Sequence, residues 1–347
     1  MSSQMQSRNE AAAPVGEPLL RTVGLTRHFR LGGLFSNQVL HAVDDVSLTI
    51  GERELVSLVG ESGSGKSTIA RLLAMLYRPT SGEINYRGRS VHTLHSRRDL
   101  LDYRSQVQMV FQDPYSSMNP VFRVSHGVVR NLRLHRPELG RSERLQEAER
   151  VFTLVGLTPA AEMLRKFPYE MSGGQRQRVG FAQAVAVRPK LILADEPVSM
   201  LDVSIRAGIL NLMADLRERE GVSILYITHD IASARYVADR IVVMYAGYIV
   251  ESGPTEAVLA DPRHPYTQLL LSAVPDPREP ISVSASPAVG EPPKVVNPSE
   301  GCRFRERCPL AIDECGRVTP RLRVLAPAHT AACHVATADA AVTDSVR

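Results

Sequence analysis

Over residues 19–59 apolar and polar positions alternate in short runs (Val43, Val46, Leu48, Ile50), a period of two that predicts half-buried strands, with Phe29 in the first of them and Gly32-Gly33 in a loop. At Val59 an apolar run stops at a Gly-rich turn, and Ile69, Leu72, Leu73 and Leu76 then follow at helical spacing. Residues 83–87 read as a short strand, and 106–111 as a buried strand ending at Gln112. From 121 to 170 the period lengthens to that of helices, with Leu145, Ala148, Val151, Phe152 and Val155 on one face. Residues 191–194 and 222–228 are continuous apolar runs, as expected of parallel strands covered on both faces. This order predicts a doubly wound α/β domain ending near residue 255.

Composition adds the boundaries. The chain has 347 residues, 44% of them hydrophobic, where about 150 per domain is usual. Residues 1–18 read as a disordered tail, 19–255 as the α/β domain with a helical part at about 113–180, 256–300 as an extension and linker, 301–335 as a cysteine-rich segment and 336–347 as a second disordered tail. The linker reading rests on seven prolines between 275 and 300. A net charge of +4 decides between no partners. The longest apolar run, 241–250, has ten residues with Ala246-Gly247 at its middle; it predicts a hairpin, since a membrane span needs about twenty. With no signal peptide in view, the expectation is a soluble, cytoplasmic protein.

The chemistry begins at residues 60–68, Gly60-Glu61-Ser62-Gly63-Ser64-Gly65-Lys66-Ser67-Thr68, placed between a strand and a helix. Gly63 and Gly65 let backbone N–H groups converge on one point, and the helix N-terminus adds partial positive charge there. Lys66 can reach the β- and γ-phosphates and Ser67 can ligate Mg²⁺. Asp195 and Glu196 end the run at 191–194, where one carboxylate can hold Mg²⁺ and the other can orient the attacking water. Ser172, Gly173, Gly174 and Gln175 open a further helix and form a second anion-seeking N-terminus. Two such termini in one chain suggest that two chains share each nucleotide.

These stretches together resemble the nucleotide-binding subunit of an ABC transporter: a P-loop ATPase core with a β-rich N-terminal part and an inserted helical subdomain. Residues 60–68 are similar to Walker A, 191–196 to Walker B, and 171–175 to the LSGGQ signature with Met171 in place of the first Leu. Gln112 matches the Q-loop, residues 199–202 ending at Asp202 the D-loop, and His229 the switch histidine, while Phe29 is the candidate for stacking on adenine. Met200 stands where the family mostly has Ala and Gln183 where it often has Arg, neither at a group expected to touch phosphate. The resemblance implies a head-to-tail ATP sandwich in which Ser172 and Gly174 of one subunit close on the γ-phosphate held by the other's Lys66. His229 would then contact that phosphate, and Ser67, Gln112 and Asp195 would serve the Mg²⁺. It also implies a partner ATPase subunit, two permease subunits and, indirectly, an extracytoplasmic solute-binding protein, at the cytoplasmic face of the membrane.

The stretch 112–120, the His264-Pro265-Tyr266-Thr267 stretch and the cysteine tail are similar to the oligopeptide/dipeptide branch, which also serves nickel and some oligosaccharides. Cys302, Cys308, Cys315 and Cys333 follow the spacing C-x5-C-x6-C-x17-C, without the close pairs of zinc ribbons. A [4Fe–4S] cluster, a zinc ion aided by His329 or His334, and reduced thiols all fit that spacing, and the resemblance favours the cluster. Because the linker intervenes, the segment is expected to stand apart from hydrolysis. The competing reading is a soluble ABC-type ATPase acting on nucleic acid or ribosomes. The tail's arginines alternate with acids, the chain holds one ATPase domain, and no heptad run is present, so nucleic acid is not expected as a partner.

Overall fold

The computed structural model describes residues 17–32, 36–113, 118–273 and 295–337. The expected terminal tails up to residue 16 and from 338, most of the Pro-rich linker, and residues 114–117 after Gln112 lie outside them.

The alternating N-terminal stretch forms an antiparallel sheet. β1 (Leu20–Leu31) pairs with β2 (Gln38–Val46), β3 (Thr49–Ile50) and β5 (Ser81–Tyr86), and β5 pairs with β6 (Arg89–Ser90). The main sheet runs β12-β13-β11-β10-β4-β9-β8-β7, where β4 is Leu55–Val59, β7 Val107–Val110, β8 Leu191–Asp195, β9 Ser223–Thr228, β10 Arg240–Tyr245, β11 Tyr248–Pro254, β12 Arg323–Ala326 and β13 His329–Ala331. From β10 to β7 every pairing is parallel. All residues of β4, β8 and β9 are buried, as the continuous apolar runs require. Their alternation sorts them between two cores: Leu193, Leu225 and Ile227 pack with the N-terminal sheet, and Ile192, Ile224 and Tyr226 with the helical part.

The helices are α1 (Lys66–Leu73), α2 (Arg97–Gln106), α3 (Ser125–His135), α4 (Arg141–Leu154), α5 (Ala160–Met163), α6 (Gly173–Val185), α7 (Val203–Glu220), α8 (Ile231–Val237), α9 (Thr255–Ala260) and α10 (Pro265–Ser272). Helices α3 to α5 lie between β7 and β8 in sequence, the expected helical insertion. On α4, Ala148, Val151 and Phe152 are buried with Val155 just beyond it, whereas Leu145 is 47% exposed, at the margin of the predicted face. Helix α1 stops at Leu73, short of the predicted pattern; Met75 takes φ 54°, and Leu76 is left exposed. The 241–250 run is a hairpin, turned by Ala246 (φ 48°) and Gly247 (φ 91°).

The sequence places a boundary near 255, but the sheet continues past it. β13 pairs with β11 through Glu251↔Ala331 and Ser252↔Thr330, so the cysteine-bearing segment supplies two strands to the main sheet. Buried Glu251 accepts hydrogen bonds from the Arg263 and His264 N–H groups (2.7 and 2.9 Å) and faces His329 Nε2 at 2.7 Å. Those partners compensate a carboxylate that burial alone would make costly. In the same segment His329 Nε2 is engaged by Glu251, and His334 Nε2 by the Val318 carbonyl at 2.9 Å.

Candidate nucleotide site

The loop after β4 is shaped by what surrounds it. A Cβ on Gly60 would fall 2.1 Å from the Met244 carbonyl oxygen, and one on Gly65, at φ 103°, 2.1 Å from that of Ala42. Both positions therefore need glycine. Gly247 N–H donates to the Ser64 carbonyl at 3.0 Å, so the hairpin turn fixes the loop from its other side. Gly65 caps α1 with no side chain, which leaves the first N–H groups of the helix free for an anion. A Cβ on Gly63 would meet open space, and the buried Ser64 hydroxyl has no partner among the described residues. Glu61 and Ser62 lie on the loop, and Thr68 within α1.

Lys66 Nζ donates to the Gly60 and Glu61 carbonyls at 2.7 and 2.8 Å, and the side chain is buried. Burial pulls its pKa below the usual lysine value, and the charges of Glu196, Asp195 and Glu61 oppose that pull. Ser67 Oγ donates to Asp195 Oδ1 at 2.8 Å, while burial raises the Asp195 pKa against that bond and the nearby Arg71. Ser67 and Asp195 thus bring two oxygens together across the α1–β8 junction, the hard donor set that suits Mg²⁺.

Strands β7, β8 and β9 are adjacent and parallel, so the residues after them meet at one edge. Gln112 Nε2 donates to Glu196 Oε2 at 3.0 Å and lies 3.4 Å from Ser199 Oγ. His229 Nδ1 is 3.5 Å from the same Glu196 oxygen. Glu196 holds φ 45°, a left-handed conformation costing a non-glycine residue about 1–3 kcal/mol. Its N–H donates to the Ile227 carbonyl, and Ser199 Oγ donates to the Glu196 carbonyl, both at 3.0 Å. These bonds fix the carboxylate between Gln112 and His229. Sequence reasoning had no signal for this conformation.

The structure thus brings together Lys66, Ser67, Gln112, Asp195, Glu196 and His229. The signature stands elsewhere. Ser172 caps α6 through a closed box, Ser172 N–H to Gln175 Oε1 at 3.0 Å and Gln175 N–H to Ser172 Oγ at 3.3 Å. A Cβ on Gly174 would strike Ile205 at 2.4 Å, and one on Gly173 would lie 3.5 Å from Leu201, so this helix packs on the stretch around Asp202. Asp202 caps α7 without a side-chain hydrogen bond, beside Met200 and Val203, 63% and 79% exposed. Phe29 lies on β1 with Tyr77 edge-on at 5.6 Å and the Arg27 guanidinium 4.5 Å over its ring, so a cation already covers one face.

The four cysteines are free thiols that share one neighbourhood. Burial, with a smaller contribution from the other three, pushes the Cys302 thiol up to about 11. Among the described residues, the group of three metal-ligating side chains whose ligand atoms lie within 4.8 Å of one another is His28, His41 and Asp44, and it contains no cysteine. A single zinc at ~2.3 Å from each sulfur needs closer sulfurs than that. Neither zinc nor an iron–sulfur cluster is established by this arrangement.

A phosphate loop, a paired-carboxylate strand end, and glutamine and histidine on the flanking strands define a P-loop ATPase. The sequence pattern of the ABC transporter family matches residues 43–199, and that of the oligopeptide/dipeptide transporter C-terminal region residues 250–315. A Sinorhizobium fredii protein named "Probable peptide ABC transporter ATP-binding protein" is 44% identical, covering 92% of this chain and 91% of its own. A Brucella ovis ATP-binding protein named for peptide import is 42% identical, covering 91% and 97%. An ATP-binding cassette solved as a dimer in a post-hydrolysis state with ADP and Pi superposes with a TM-score of 0.61 at 29% identity, covering 68% of this chain and 98% of that one. The chain belongs to the ATP-binding proteins of ABC transporters, in their oligopeptide/dipeptide branch. It is an ATPase whose hydrolysis is coupled to transport, and such subunits are peripheral to the membrane. No helix among the described residues is long and apolar enough to cross one.

Proposed function

We propose that this chain energises peptide import by closing on ATP head to tail with a second ATPase subunit. The observation that carries the reading is the division of the site: Lys66, Ser67, Asp195, Glu196, Gln112 and His229 meet at one sheet edge, while Ser172 and Gly174 do not join them. The first set would hold the phosphates and the attacking water. Glu196 would orient and polarise that water, His229 and Gln112 would sense the γ-phosphate and the metal, and Lys66 would neutralise charge developing on the leaving phosphate. Ser67, Asp195 and Gln112 would hold Mg²⁺, which supplies further charge neutralisation when bound. The opposite subunit's Ser172, Gly173, Gly174, Gln175 and Asp202 would complete the site, with exposed Met200 and Val203 at the seam. Phe29 would receive adenine once Arg27 moves or on its free face.

Two permease subunits would seat on the helical part. A groove of about 810 Å³ there is lined by Val121, Phe122, Arg130 and Phe167, with Val121 74% exposed. The names of the relatives and the C-terminal region support peptides as cargo, delivered by a solute-binding protein on the far side. The test is reconstitution in proteoliposomes with two permease subunits and a solute-binding protein from the same source. Peptide-loaded binding protein should raise ATPase several-fold and drive ATP-dependent peptide uptake; nickel or an oligosaccharide moving instead would reassign the cargo.

The four cysteines would hold one [4Fe–4S] cluster. In favour are their shared neighbourhood and a short segment with little apolar core of its own. Anaerobically purified protein should contain about four irons and four sulfides, lost in Cys308→Ser; one zinc and a colourless protein would refute the assignment.

A further inference from the structure

The turn between Cys302 and Cys308 reaches the phosphate loop. Arg307 places Nη1 and Nη2 at 2.8 and 2.9 Å from the two carboxylate oxygens of Glu61, the second loop residue, with its own side chain 7% exposed. This is the bidentate fork that guanidinium and carboxylate form best. Tyr266 on α10 accepts from the Glu61 N–H at 2.8 Å, so the extension grips Glu61 by both side chain and backbone. The Glu61 carbonyl in turn accepts from Lys66 Nζ. Phe304, in the same turn, is buried against Tyr245 and Tyr266 at 5.2 and 5.5 Å between ring centres, which fixes the turn's position. Arg303 donates to Asp44 and to the Ala246 carbonyl, next to the Gly247 that bonds Ser64. One seven-residue turn therefore touches the start of the phosphate loop and the hairpin turn that holds its other side, and a cysteine bounds it on each side.

We infer that Arg307 is a positioning residue of the nucleotide site. It acts through Glu61 on Lys66, so that nucleotide affinity and the order of the Cys302–Cys308 turn are one coupled equilibrium. Removing Arg307 leaves the Glu61 carboxylate half-buried and unpaired, free to turn toward the Lys66 ammonium and compete with phosphate for it. Coupling of this kind is reciprocal: what the turn does for nucleotide binding, bound nucleotide does for the turn.

The inference rests on the reading of Lys66 as the phosphate-binding lysine, and the experiment separates the two. Affinity for a fluorescent ATP analogue with Mg²⁺ is measured on the full chain for Lys66→Ala, Arg307→Met, Arg307→Lys, Glu61→Gln and the Arg307→Met/Glu61→Gln pair. Lys66→Ala tests the site itself; if it leaves affinity unchanged, that reading and the inference fall together. If Lys66→Ala abolishes binding, Arg307→Met should weaken it about tenfold, Arg307→Lys should restore part, and the pair should be no weaker than the worse single variant. KM should rise more than kcat falls. Amide hydrogen exchange over 302–308 in the unmodified chain should slow when MgATP binds, a readout that does not depend on any variant folding. Arg307→Met within twofold of wild-type affinity, additive effects in the pair, or exchange indifferent to nucleotide would each overturn the coupling.

Discussion

The two anion-seeking helix termini of this chain look alike in sequence and are built differently. At the start of α1, Gly65 offers no capping side chain, and the groups around it already touch one another: Lys66 with the loop carbonyls, Ser67 with Asp195, Gln112 with Glu196. At the start of α6, Ser172 and Gln175 satisfy each other in a closed capping box, while the nearby stretch of Met200 and Val203 stands in solvent. The first terminus is preorganised with catalytic groups at hand, and the second is a rigid, self-contained donor surface with none. A phosphate bound at the first still needs a lid, and a phosphate at the second would find no base. The difference is what the proposed sharing of one nucleotide between two chains requires, with each terminus supplying what the other lacks.

The sharpest way to break that comparison is to remove the base from the preorganised half. Glu196→Gln keeps the shape of the side chain and an oxygen for Gln112, but an amide polarises water poorly. Steady-state ATPase should fall by at least about a hundredfold while nucleotide affinity stays within a few-fold, because Lys66 and Ser67 are untouched. Lys66→Ala should instead lose affinity. Retention of more than about a tenth of wild-type turnover in Glu196→Gln would show that another group acts on the water.

How much of this was legible beforehand follows from the range of the interactions. The phosphate loop, the paired carboxylates and the strand runs are local patterns, and they stand where periodicity and spacing put them. Gln112 and His229 came from resemblance, and they are joined to Glu196 by the parallel order of β7, β8 and β9, which no single segment encodes. The linker suggested a cysteine segment spatially separate from the phosphate loop, and Arg307 on Glu61 shows that the two are in contact. That pair is 246 positions apart in sequence, and an arginine in a run that alternates with acids looks like any solvated surface charge. The return of β13 to β11 was likewise hidden, since three residues, His329–Ala331, carry too few positions to show a period.

Complementation between two inactive variants sharpens the comparison further, with a smaller signal. Ser172→Arg puts a bulky cation into the lid and breaks its capping box, and Lys66→Ala empties the phosphate loop, so each variant alone should form dimers with both sites damaged. In a mixed dimer the damage is distributed unequally. The loop of the Lys66→Ala chain faces the altered lid, and the intact loop of the Ser172→Arg chain faces an intact Ser172. If nucleotide sites are shared head to tail, one site per mixed dimer is whole. Random mixing in equal amounts makes about half the dimers mixed, so ATPase should recover to about a quarter of the wild-type level when two sites act independently. If each chain instead completed its own site, mixing would recover nothing, because no chain in the mixture has both Lys66 and Ser172. The measurement is ATPase activity against the mixing ratio at fixed total protein. A maximum near equal proportions supports the shared site, and a flat line at the background of the two variants removes it.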